Sequence, residues 1–335
     1  MRKFRDNQKR HHNSSRQSHR HPQSNPRRGP QSTPSGSNPP PRRFAADEAE
    51  SRFFAGTAVD PSPRIRLEDG SKELTMRAMD LICPIGMGQR GLIVAPPGSG
   101  KTTFLKHLCQ AVAKSCPAVK LYCLLIDERP EEVTDFQRGV TAAVRSSSSD
   151  QTYDHHIATA DALMRQVFRE AGAGENVMIL IDSLTRLSRV HNAEMRSGGR
   201  TLSGGVDARA LEVPRRIFGS ARKIENGGSL SILATILVQT GSRMDDVIFE
   251  EFKGTGNMEI VLSREISTRR IFPAIDIAKS GTRKEELLLA PDELGRIRKL
   301  RSALAELGTV EAAKTLTEQL RKYPTNQELL FTLFS

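Results

Sequence analysis

The segment GLIVAPPGSGKT, residues 91–102, decides the fold that this sequence predicts. Its first five residues, Gly91–Ala95, form a short apolar strand that runs into a turn rich in glycine and proline, and a helix is predicted from there to about Ala113. A loop between a strand and a helix can turn successive backbone N–H groups and a helix N-terminus towards the phosphates of a nucleotide. The pattern therefore predicts a P-loop, although Ala95 stands where the generic motif has its first glycine.

Two side chains of this loop predict ATP and Mg²⁺ as ligands. The Lys101 ammonium would reach the β- and γ-phosphates, and the Thr102 hydroxyl would bind Mg²⁺. The predicted nucleotide-binding residues of the loop are Pro97, Gly98, Ser99, Gly100, Lys101, Thr102 and Thr103.

Three further apolar runs predict the sheet that carries this loop. They are KLYCLLID at residues 120–127, VMILID at 177–182 and LSILATILV at 230–238. Apolar runs of this kind, separated by helical segments, are typical of central parallel strands that helices cover on both faces. We therefore predict an α/β protein with a RecA-like P-loop NTPase fold and a mostly parallel central sheet, which binds its ligand at the carboxyl ends of the strands.

Acidic residues at the ends of two strands are candidate catalytic groups. Asp182 ends its strand as a Walker-B acid does and, with Thr102, would hold Mg²⁺ largely through water; the alternative is a solvated acid. Glu128 follows the neighbouring strand and would orient or deprotonate the attacking water. The alternative for Glu128 is an ion pair with Arg129, which is also a candidate catalytic residue.

Hydrolysis of a triphosphate also needs a cation for the negative charge that develops on the γ-phosphate. In ring-forming ATPases an arginine of the adjacent subunit supplies it. On charge alone the candidates are Arg264, Arg269, Arg270 and Arg283, and their spacing does not choose among them.

Two loops rich in glycine, serine or threonine are candidate contacts for a nucleic acid. The segment 196–205, RSGGRTLSGG, contains Arg200, and the segment 239–243, QTGSR, ends at Arg243. Each loop offers arginine side chains to phosphates, although an ordinary surface loop has the same composition. Lys253 completes the RNA-binding candidates.

Charge and composition divide the chain into three predicted parts. Residues 1–43 contain eleven lysines and arginines against one acid, Asp6, which is a net charge of +10 out of +11 for the chain. We expect a disordered basic tail at 1–51 that either attracts RNA or merely keeps the chain soluble. An ATPase domain is predicted at 52–290, and a C-terminal helical segment at 291–335, with helices at 292–307 and 310–323.

Other features favour an unexported protein with reduced thiols. No apolar run approaches the roughly 20 residues that a membrane-spanning helix needs, and the N-terminus is basic where a signal peptide is apolar. We therefore expect a soluble, cytoplasmic protein. Buried thiols are expected rather than a zinc site, because no CxxC pair occurs among Cys83, Cys109, Cys116 and Cys123.

Several longer blocks resemble the transcription termination factors of the Rho family. The resemblance extends from about Arg52 to the C-terminus, and the Ala-Pro-Pro opening of the P-loop is normal for that family. The blocks are PIGMGQRGLIVAPP at 84–97, LLIDERPEEV at 124–133, DSLTR at 182–186, TLSGGVDA at 201–208, FEEFKGTGNME at 249–259 and RIFPAIDIAKSGTRKEELL at 270–288.

The resemblance implies roles for individual residues. It implies that Arg283 is the arginine finger reaching a neighbour's ATP, that Arg270 is a second interface arginine and that Phe272 stacks on adenine. Arg200 and Arg243 match channel-loop positions that are commonly lysine in Rho factors, so a planar fork replaces a point charge there. For Lys101, Thr102, Asp182 and Glu128 it implies the roles given above.

Two departures from the family pattern alter these expectations. Gly98 occupies a position that is often lysine in Rho factors, which removes one cation near the phosphates. The segment before the ATPase block has neither the alternating strands nor the aromatic residues of the OB-fold that forms the primary RNA site of Rho factors. We therefore expect a Rho-like core without that domain, with the basic tail as a partial substitute.

The function implied by the resemblance is an RNA-dependent ATPase that translocates on single-stranded RNA as a homo-oligomeric, hexameric ring and acts in transcription termination. RNA polymerase is a further candidate partner. The alternative is a regulatory ring that binds nucleic acid and uses ATP mainly for assembly. A rotary-synthase or export-type catalytic subunit would share the sheet and P-loop, but SGTRKEELL at 280–288 and the two candidate RNA loops fit it poorly.

Overall fold

The computed structural model describes residues 48–195 and 205–334. The predictions for residues 1–47 and for the loop residues 196–204, which include Arg200, concern parts of the chain outside these ranges.

Helices and strands alternate along the described chain. The helices are α1 (Glu48–Ala55), α2 (Leu67–Gly70), α3 (Leu74–Ile82), α4 (Lys101–Ser115), α5 (Pro130–Gly139), α6 (Tyr153–Gly172), α7 (Leu184–Met195), α8 (Glu212–Gly219), α9 (Arg243–Phe252), α10 (Arg264–Thr268), α11 (Pro291–Ala305), α12 (Thr309–Lys322) and α13 (Asn326–Leu333). The strands are β1 (Ala58–Val59), β2 (Arg64–Ile65), β3 (Ile85–Gly86), β4 (Arg90–Ala95), β5 (Lys120–Glu128), β6 (Ala143–Ser148), β7 (Asn176–Asp182), β8 (Arg222–Ile224), β9 (Ser229–Leu237), β10 (Met258–Val261) and β11 (Gly281–Thr282). Short 3-10 turns lie at Ala208–Leu211 and Glu285–Leu287.

The main sheet runs in the order β11-β10-β4-β9-β7-β5-β6. All neighbouring pairs from β10 to β6 are parallel, whereas β11 pairs antiparallel with β10, and β8 pairs antiparallel with β9 and β1. Because parallel strands end at the same edge, the loops after β4, β5 and β7 lie at one edge of the sheet. This topology confirms the predicted α/β fold with a mostly parallel central sheet.

Side chains of β4 show why the central strands are apolar along their whole length. Ile93 and Ala95 pack into one core with the P-loop helix α4, while Leu92 and Val94 pack into a second core with α9 on the opposite face. Alternate residues of a strand point to opposite faces, so a sheet that is covered on both sides needs apolar residues at every position.

The C-terminal helices pack into the same core as the P-loop helix. Leu300 of α11, Leu316 of α12 and Leu329 of α13 join the cluster that contains Phe104 of α4. The first two helices correspond to the predicted ones at 292–307 and 310–323, and α11 begins with Pro291, whose fixed φ suits the first turn of a helix. The third helix, α13, was not predicted.

Helix α1 corrects the predicted end of the basic tail. The tail was expected to reach residue 51, but α1 begins at Glu48. The reason is tertiary packing: Phe53 is buried, and its ring stacks on Phe168 of α6 with centroids 5.6 Å apart. Apolar contacts of this kind offset the conformational entropy that is lost on ordering the segment.

Within residues 48–195 and 205–334, each helix is too short or too polar to cross a membrane.

Candidate functional site

The predicted P-loop connects β4 directly to α4. The strand ends at Ala95 and the helix begins at Lys101, so five residues turn the chain. Gly98 and Gly100 have φ angles of +75° and +90°, which residues with a side chain rarely adopt. At Gly98 nothing lies within 4 Å of where a Cβ atom would be, so backbone conformation, not space, requires glycine there.

Lys101, Glu128 and Asp182 meet beside this loop in a buried cluster, here called the strand-end cluster. The Lys101 Nζ atom lies 2.6 and 2.7 Å from the two carboxylate oxygens of Asp182 and 3.1 Å from Glu128 Oε1. Glu128 and Asp182 are 5% and 4% exposed. The structure thus brings together three side chains that are separated by 27 to 81 positions in the sequence.

The register of the sheet explains this meeting. In the parallel pair of β5 and β7, Leu125 is opposite Asp182, the last residue of β7, and β5 continues three residues further to Glu128. On the other side of β7, Thr235 of β9 donates its hydroxyl to Asp182 Oδ1 over 2.6 Å. The Asp182 carboxylate is therefore held by Thr235 of β9 and by Lys101 of α4, and its alternative as a solvated strand-end acid does not describe this environment.

Electrostatics within the cluster shift two pKa values. Burial by itself would lower the pKa of Lys101, but the charges of Asp182 and Glu128 outweigh it and raise that pKa. Burial and the negative charge of Asp182 raise the pKa of Glu128, against the opposing influence of Lys101 and Arg186. The lysine therefore stays charged, and Glu128 becomes a stronger proton acceptor than an exposed glutamate.

A bulge near the end of β5 brings two adjacent acids to the same arginine. The pairing with β6 shifts register between Ile126 and Glu128, and Asp127 has a φ of +57°. The extra residue of a bulge re-aims the side chains beside it. Here the Asp127 carboxylate contacts Arg186, whereas Glu128 reaches Lys101 as well as Arg186.

Arg186 is a member of the site that the residue-level argument did not single out. One of its guanidinium nitrogens donates to Asp127 Oδ2 over 3.1 Å, and another donates to Glu128 Oε2 over 3.3 Å. The available signal was its place in the first turn of α7, four residues after Asp182. The predicted candidate Arg129 lies elsewhere: it is exposed and pairs with Glu132 at 3.2 Å, so Glu128 is bound to Lys101 and Arg186 instead.

The donors near Asp182 suit a hard divalent cation such as Mg²⁺. A carboxylate and the hydroxyl of Thr102, the second residue of α4, are oxygen ligands of the kind Mg²⁺ prefers. Across residues 48–195 and 205–334 no group of three or more His, Cys, Asp or Glu residues is arranged to hold a metal by itself. A site with few protein ligands is the arrangement used when phosphate oxygens complete the coordination. The buried hydroxyl of Ser99 also has no hydrogen-bond partner, which leaves it available to a ligand in the loop.

A cavity of about 380 Å³ adjoins the P-loop and contains the predicted base-stacking residue, Phe272. The Phe272 ring is 45% exposed, and a Cβ atom at Gly100 would lie 3.8 Å from it. The Ser267 hydroxyl donates to the Gly98 carbonyl over 3.1 Å, which ties α10 and the following loop to the P-loop. The cavity is lined by Glu73, Leu74, Thr75, Gly98, Ser99, Gly100, Thr103, Phe104, His107, Leu262, Phe272, Pro273 and Ala274.

Among the described residues, the ion pairs of the strand-end cluster include neither of the predicted interface arginines. Arg283 is exposed and lines a separate cavity of about 340 Å³ together with Glu259 and Lys279. Arg270 is also exposed and has a φ of +61°.

Among the predicted RNA-binding residues, Arg243 and Lys253 are described, and both are exposed. Arg243 is the first residue of α9. The loop before it is held by Thr240, whose hydroxyl donates to the buried Asp245 over 2.6 Å, and Arg189 of α7 binds the same carboxylate. The segment that presents Arg243 is therefore anchored to the helix that also carries Arg186.

Comparison with known proteins agrees with this geometry. Residues 75–282 match the ATP synthase alpha/beta family, nucleotide-binding domain. Transcription termination factor Rho of Streptomyces coelicolor is 53% identical over 274 residues, which cover 82% of this chain and 66% of that protein. The factor of Pseudomonas fluorescens biotype C is 49% identical over 280 residues, covering 83% of this chain and 67% of that protein. This chain belongs to the Rho family.

The resemblance inferred from the sequence blocks is thereby confirmed. The Rho factor of Aquifex aeolicus is 52% identical over 281 residues, or 83% of this chain and 64% of that protein. The chain thus spans about two thirds of the length of these Rho relatives.

Solved structures show the same fold at lower identity. An ATPase from the type III secretion system of pathogenic bacteria has a TM-score of 0.69 and 22% identity, covering 82% of this chain and 85% of that one. The assembled ATPase of the type III secretion system of enteropathogenic E. coli has a TM-score of 0.66 and 20% identity, covering 84% and 74%. These structures show the fold, and the family match over residues 75–282 shows that this Rho-family chain carries a nucleotide-binding domain.

Proposed function

We propose that this chain is an RNA-dependent ATPase of the Rho type that moves on single-stranded RNA and takes part in transcription termination. The observation that carries the proposal is the strand-end cluster, in which Lys101 at the start of the P-loop helix lies between two buried carboxylates. The names of the relatives, which are transcription termination factors, support the RNA and termination parts. They also support action in the cytoplasm, where bacterial RNA is transcribed.

The residues of the P-loop and the cluster divide the work of binding and hydrolysis. Lys101 and the amides of the loop would bind the phosphates of ATP, and Phe272 would stack on the base in the adjoining cavity. Thr102 and Asp182 would hold Mg²⁺, which neutralises negative charge on the phosphates when it is bound. Binding of a triphosphate supplies Lys101 with a new anionic partner in place of Asp182.

Glu128 would act as the base that orients and deprotonates water. Burial and the charge of Asp182 raise its pKa, which makes it a better proton acceptor than an ordinary glutamate. Arg186 contacts the same carboxylate and keeps it pointing into the cluster.

The proposal includes a homo-oligomeric ring, hexameric as the family resemblance implies. Arg283 is exposed and lines a different cavity from the P-loop, which supports a role on the nucleotide of a neighbouring subunit. Arg270 would lie at the same interface, and Arg200, Arg243 and Lys253 would contact RNA phosphates. RNA polymerase is a further proposed partner.

The first test is ATP turnover by the purified full chain with and without poly(C) RNA. Turnover should rise with RNA, and Lys101→Ala should abolish it, because the phosphates lose their main side-chain cation. Lys106→Ala is the matched control, since Lys106 lies on the same helix but pairs with Asp135 away from the cluster. Turnover that ignores every single-stranded nucleic acid would contradict the RNA-dependent part.

A second assay separates a motor from a ring that uses ATP mainly for assembly. In single-turnover unwinding of an RNA–DNA hybrid, efficient strand displacement is expected of the motor. Assembly with ATP and no displacement would favour the regulatory alternative.

A further inference from the structure

A partly buried polar group at the end of β6 and the start of α6 takes no part in the site described above. It consists of Ser147, His155 and His156 and is here called the Ser–His brace, or the brace. Ser147 Oγ lies 2.7 Å from His155 Nδ1 and 2.6 Å from His156 Nδ1. Ser147 and His156 are each 1% exposed, whereas His155 is an exposed residue.

The hydrogen bonds of the brace depend on protonation. A serine hydroxyl has one proton to donate and two lone pairs, so Ser147 can donate to only one of the two Nδ1 atoms. The other imidazole must carry a proton on Nδ1 and donate it to Ser147 Oγ. Two neutral imidazoles in different tautomers therefore satisfy the brace. If the accepting imidazole takes up a proton, the Ser147 hydroxyl loses its acceptor in a buried place, which is costly.

The brace lies directly behind the bulge of β5. Ser148, the next residue of β6, is opposite Glu128 in the parallel pair, and the Ser149 N–H donates to the Glu128 carbonyl over 2.9 Å. Asp127 lies close enough to His156 to affect its pKa, and the same carboxylate binds Arg186. One proton on the brace therefore places a positive charge beside the Asp127–Arg186 ion pair.

The charged groups around His156 come from three parts of the fold. They are Asp127 of β5, Asp150 of the connection between β6 and α6, and His155 on α6 itself. Burial lowers the pKa of His156 and a charge on His155 lowers it further, while Asp127 and Asp150 oppose this shift. His156 is therefore mainly neutral at neutral pH, which the hydrogen-bond pattern also requires.

The sign of the pH effect follows from this shift. The unfolded chain titrates this histidine near its ordinary pKa of about 6.5 and binds more protons below that pH than the folded chain does. The brace thus contributes its full stability above about pH 6.5 and loses it as the pH falls through the lowered pKa of His156.

We propose that Ser147, His155 and His156 form a proton-responsive positioning element that holds the Asp127–Glu128 end of β5 in place and releases it on acidification. The inference rests on the proposed ATPase function, because Glu128 is the group that is positioned. Glu128 is proposed to act on water and not to bind ATP, so acidification should act mainly on kcat and change the KM for ATP little.

The test is the pH dependence of kcat in the full chain carrying His156→Asn. The asparagine amide reaches the position of Nδ1 and can bond Ser147, but it does not titrate. Between pH 7.5 and 5.5 the variant should keep about threefold more of its neutral-pH kcat than the wild type does, with the same KM. His191→Asn is the matched control, because His191 is also buried with a lowered pKa but lies outside the brace, and its profile should follow the wild type.

Superimposable kcat profiles for the wild type and His156→Asn would overturn the proposal, and so would a change confined to KM. If His156→Asn does not fold, Ser147→Ala removes the shared hydroxyl and leaves both imidazoles. The pH at which kcat falls on acidification should then differ between this variant and the wild type. An unchanged pH also overturns the proposal.

A readout that does not depend on turnover keeps the two proposals apart. The Tm of the wild type should fall more steeply than that of His156→Asn between about pH 6.5 and 5, because only the wild type takes up the proton. Equal slopes would refute the brace. If the wild type hydrolyses no ATP at any pH, the proposed function fails, and the Tm slopes alone decide whether the brace responds to protons.

Discussion

The charges of the strand-end cluster are buried and paired, whereas those of Arg243, Arg270 and Arg283 are exposed to solvent. In the cluster every charge has a partner within the chain: the side chains of Lys101, Glu128 and Asp182 are 16%, 6% and 5% exposed and lie within 3.1 Å of one another through Lys101. Arg243 is exposed at the start of α9, Arg270 after the end of α10 and Arg283 after the end of β11.

This difference shows which part of the proposed machinery the chain completes by itself. A buried charge without a partner is costly, so the fold must pair Lys101 before any nucleotide binds. An exposed guanidinium stays hydrated, so it needs no partner within the chain and remains available to a neighbouring subunit or an RNA phosphate. The cluster is complete in one chain, whereas the proposed partners of the arginines belong to a second molecule.

The largest expected effect comes from the exposed group of this comparison. Arg283→Ala should lower ATP turnover in the assembled oligomer by about 10³- to 10⁵-fold, because an arginine finger stabilises charge that develops only during phosphoryl transfer. Steady-state turnover and ATP affinity measure this, and the affinity should change little.

Mixing two inactive variants checks whether Arg283 acts on its neighbour. Where a Lys101→Ala subunit presents its intact Arg283 to the intact P-loop of an Arg283→Ala subunit, a complete site forms and some turnover should return. Mixed oligomers that remain as inactive as the separate variants would mean that Arg283 does not act between subunits.

The next largest effect tests the buried group. Glu128→Gln should lower kcat by about 10²- to 10⁴-fold, because the amide cannot accept a proton from water. In the wild type, turnover should fall as acid protonates Glu128, and this limb should lie above the pH expected for an ordinary glutamate because the pKa of Glu128 is raised.

Glu131→Gln is the control for that change. Glu131 is exposed in the first turn of α5, three residues from Glu128, and its substitution should leave turnover unchanged. Equal losses in both variants would point to general damage to this segment and not to a base at Glu128.

The smallest effect concerns RNA affinity. Arg243→Ala should weaken binding of single-stranded RNA by about tenfold and reduce the slope of log K against log salt concentration by about 1, as expected for the loss of one phosphate contact. Fluorescence anisotropy over a salt series measures both. Arg243→Lys should keep most of the slope, and an unchanged slope in Arg243→Ala would remove this residue from the RNA path.

The site residues that sequence reasoning found are those marked by local patterns. The P-loop is continuous in the sequence, and each strand-end acid follows an apolar run, so Lys101, Asp182 and Glu128 could be named and placed at one sheet edge. The exposed arginines were reached only through the family resemblance, because a basic residue in a loop has no local pattern that reveals its partner.

Other features were beyond the sequence because they depend on contacts between distant elements. The bulge at Asp127 is a register shift in the pairing of β5 with β6, and an aspartate at that position does not by itself predict a bulge. Arg186 donates a hydrogen bond to Glu128, which lies 58 positions earlier in the sequence. The adjacent residues His155 and His156 do not indicate by their sequence that both contact Ser147.

The sequence by itself determined the kind of fold, the loop that faces a phosphate and the acids that end its strands, because period, glycine placement and strand ends are local properties. Only the tertiary structure decided how those acids are held, through the strand order that sets β7 between β5 and β9 and the bulge at which Asp127 and Glu128 both reach Arg186. Hydrogen bonds and ion pairs depend on distances of a few ångströms between side chains, and those distances exist only once the strands have been paired in register.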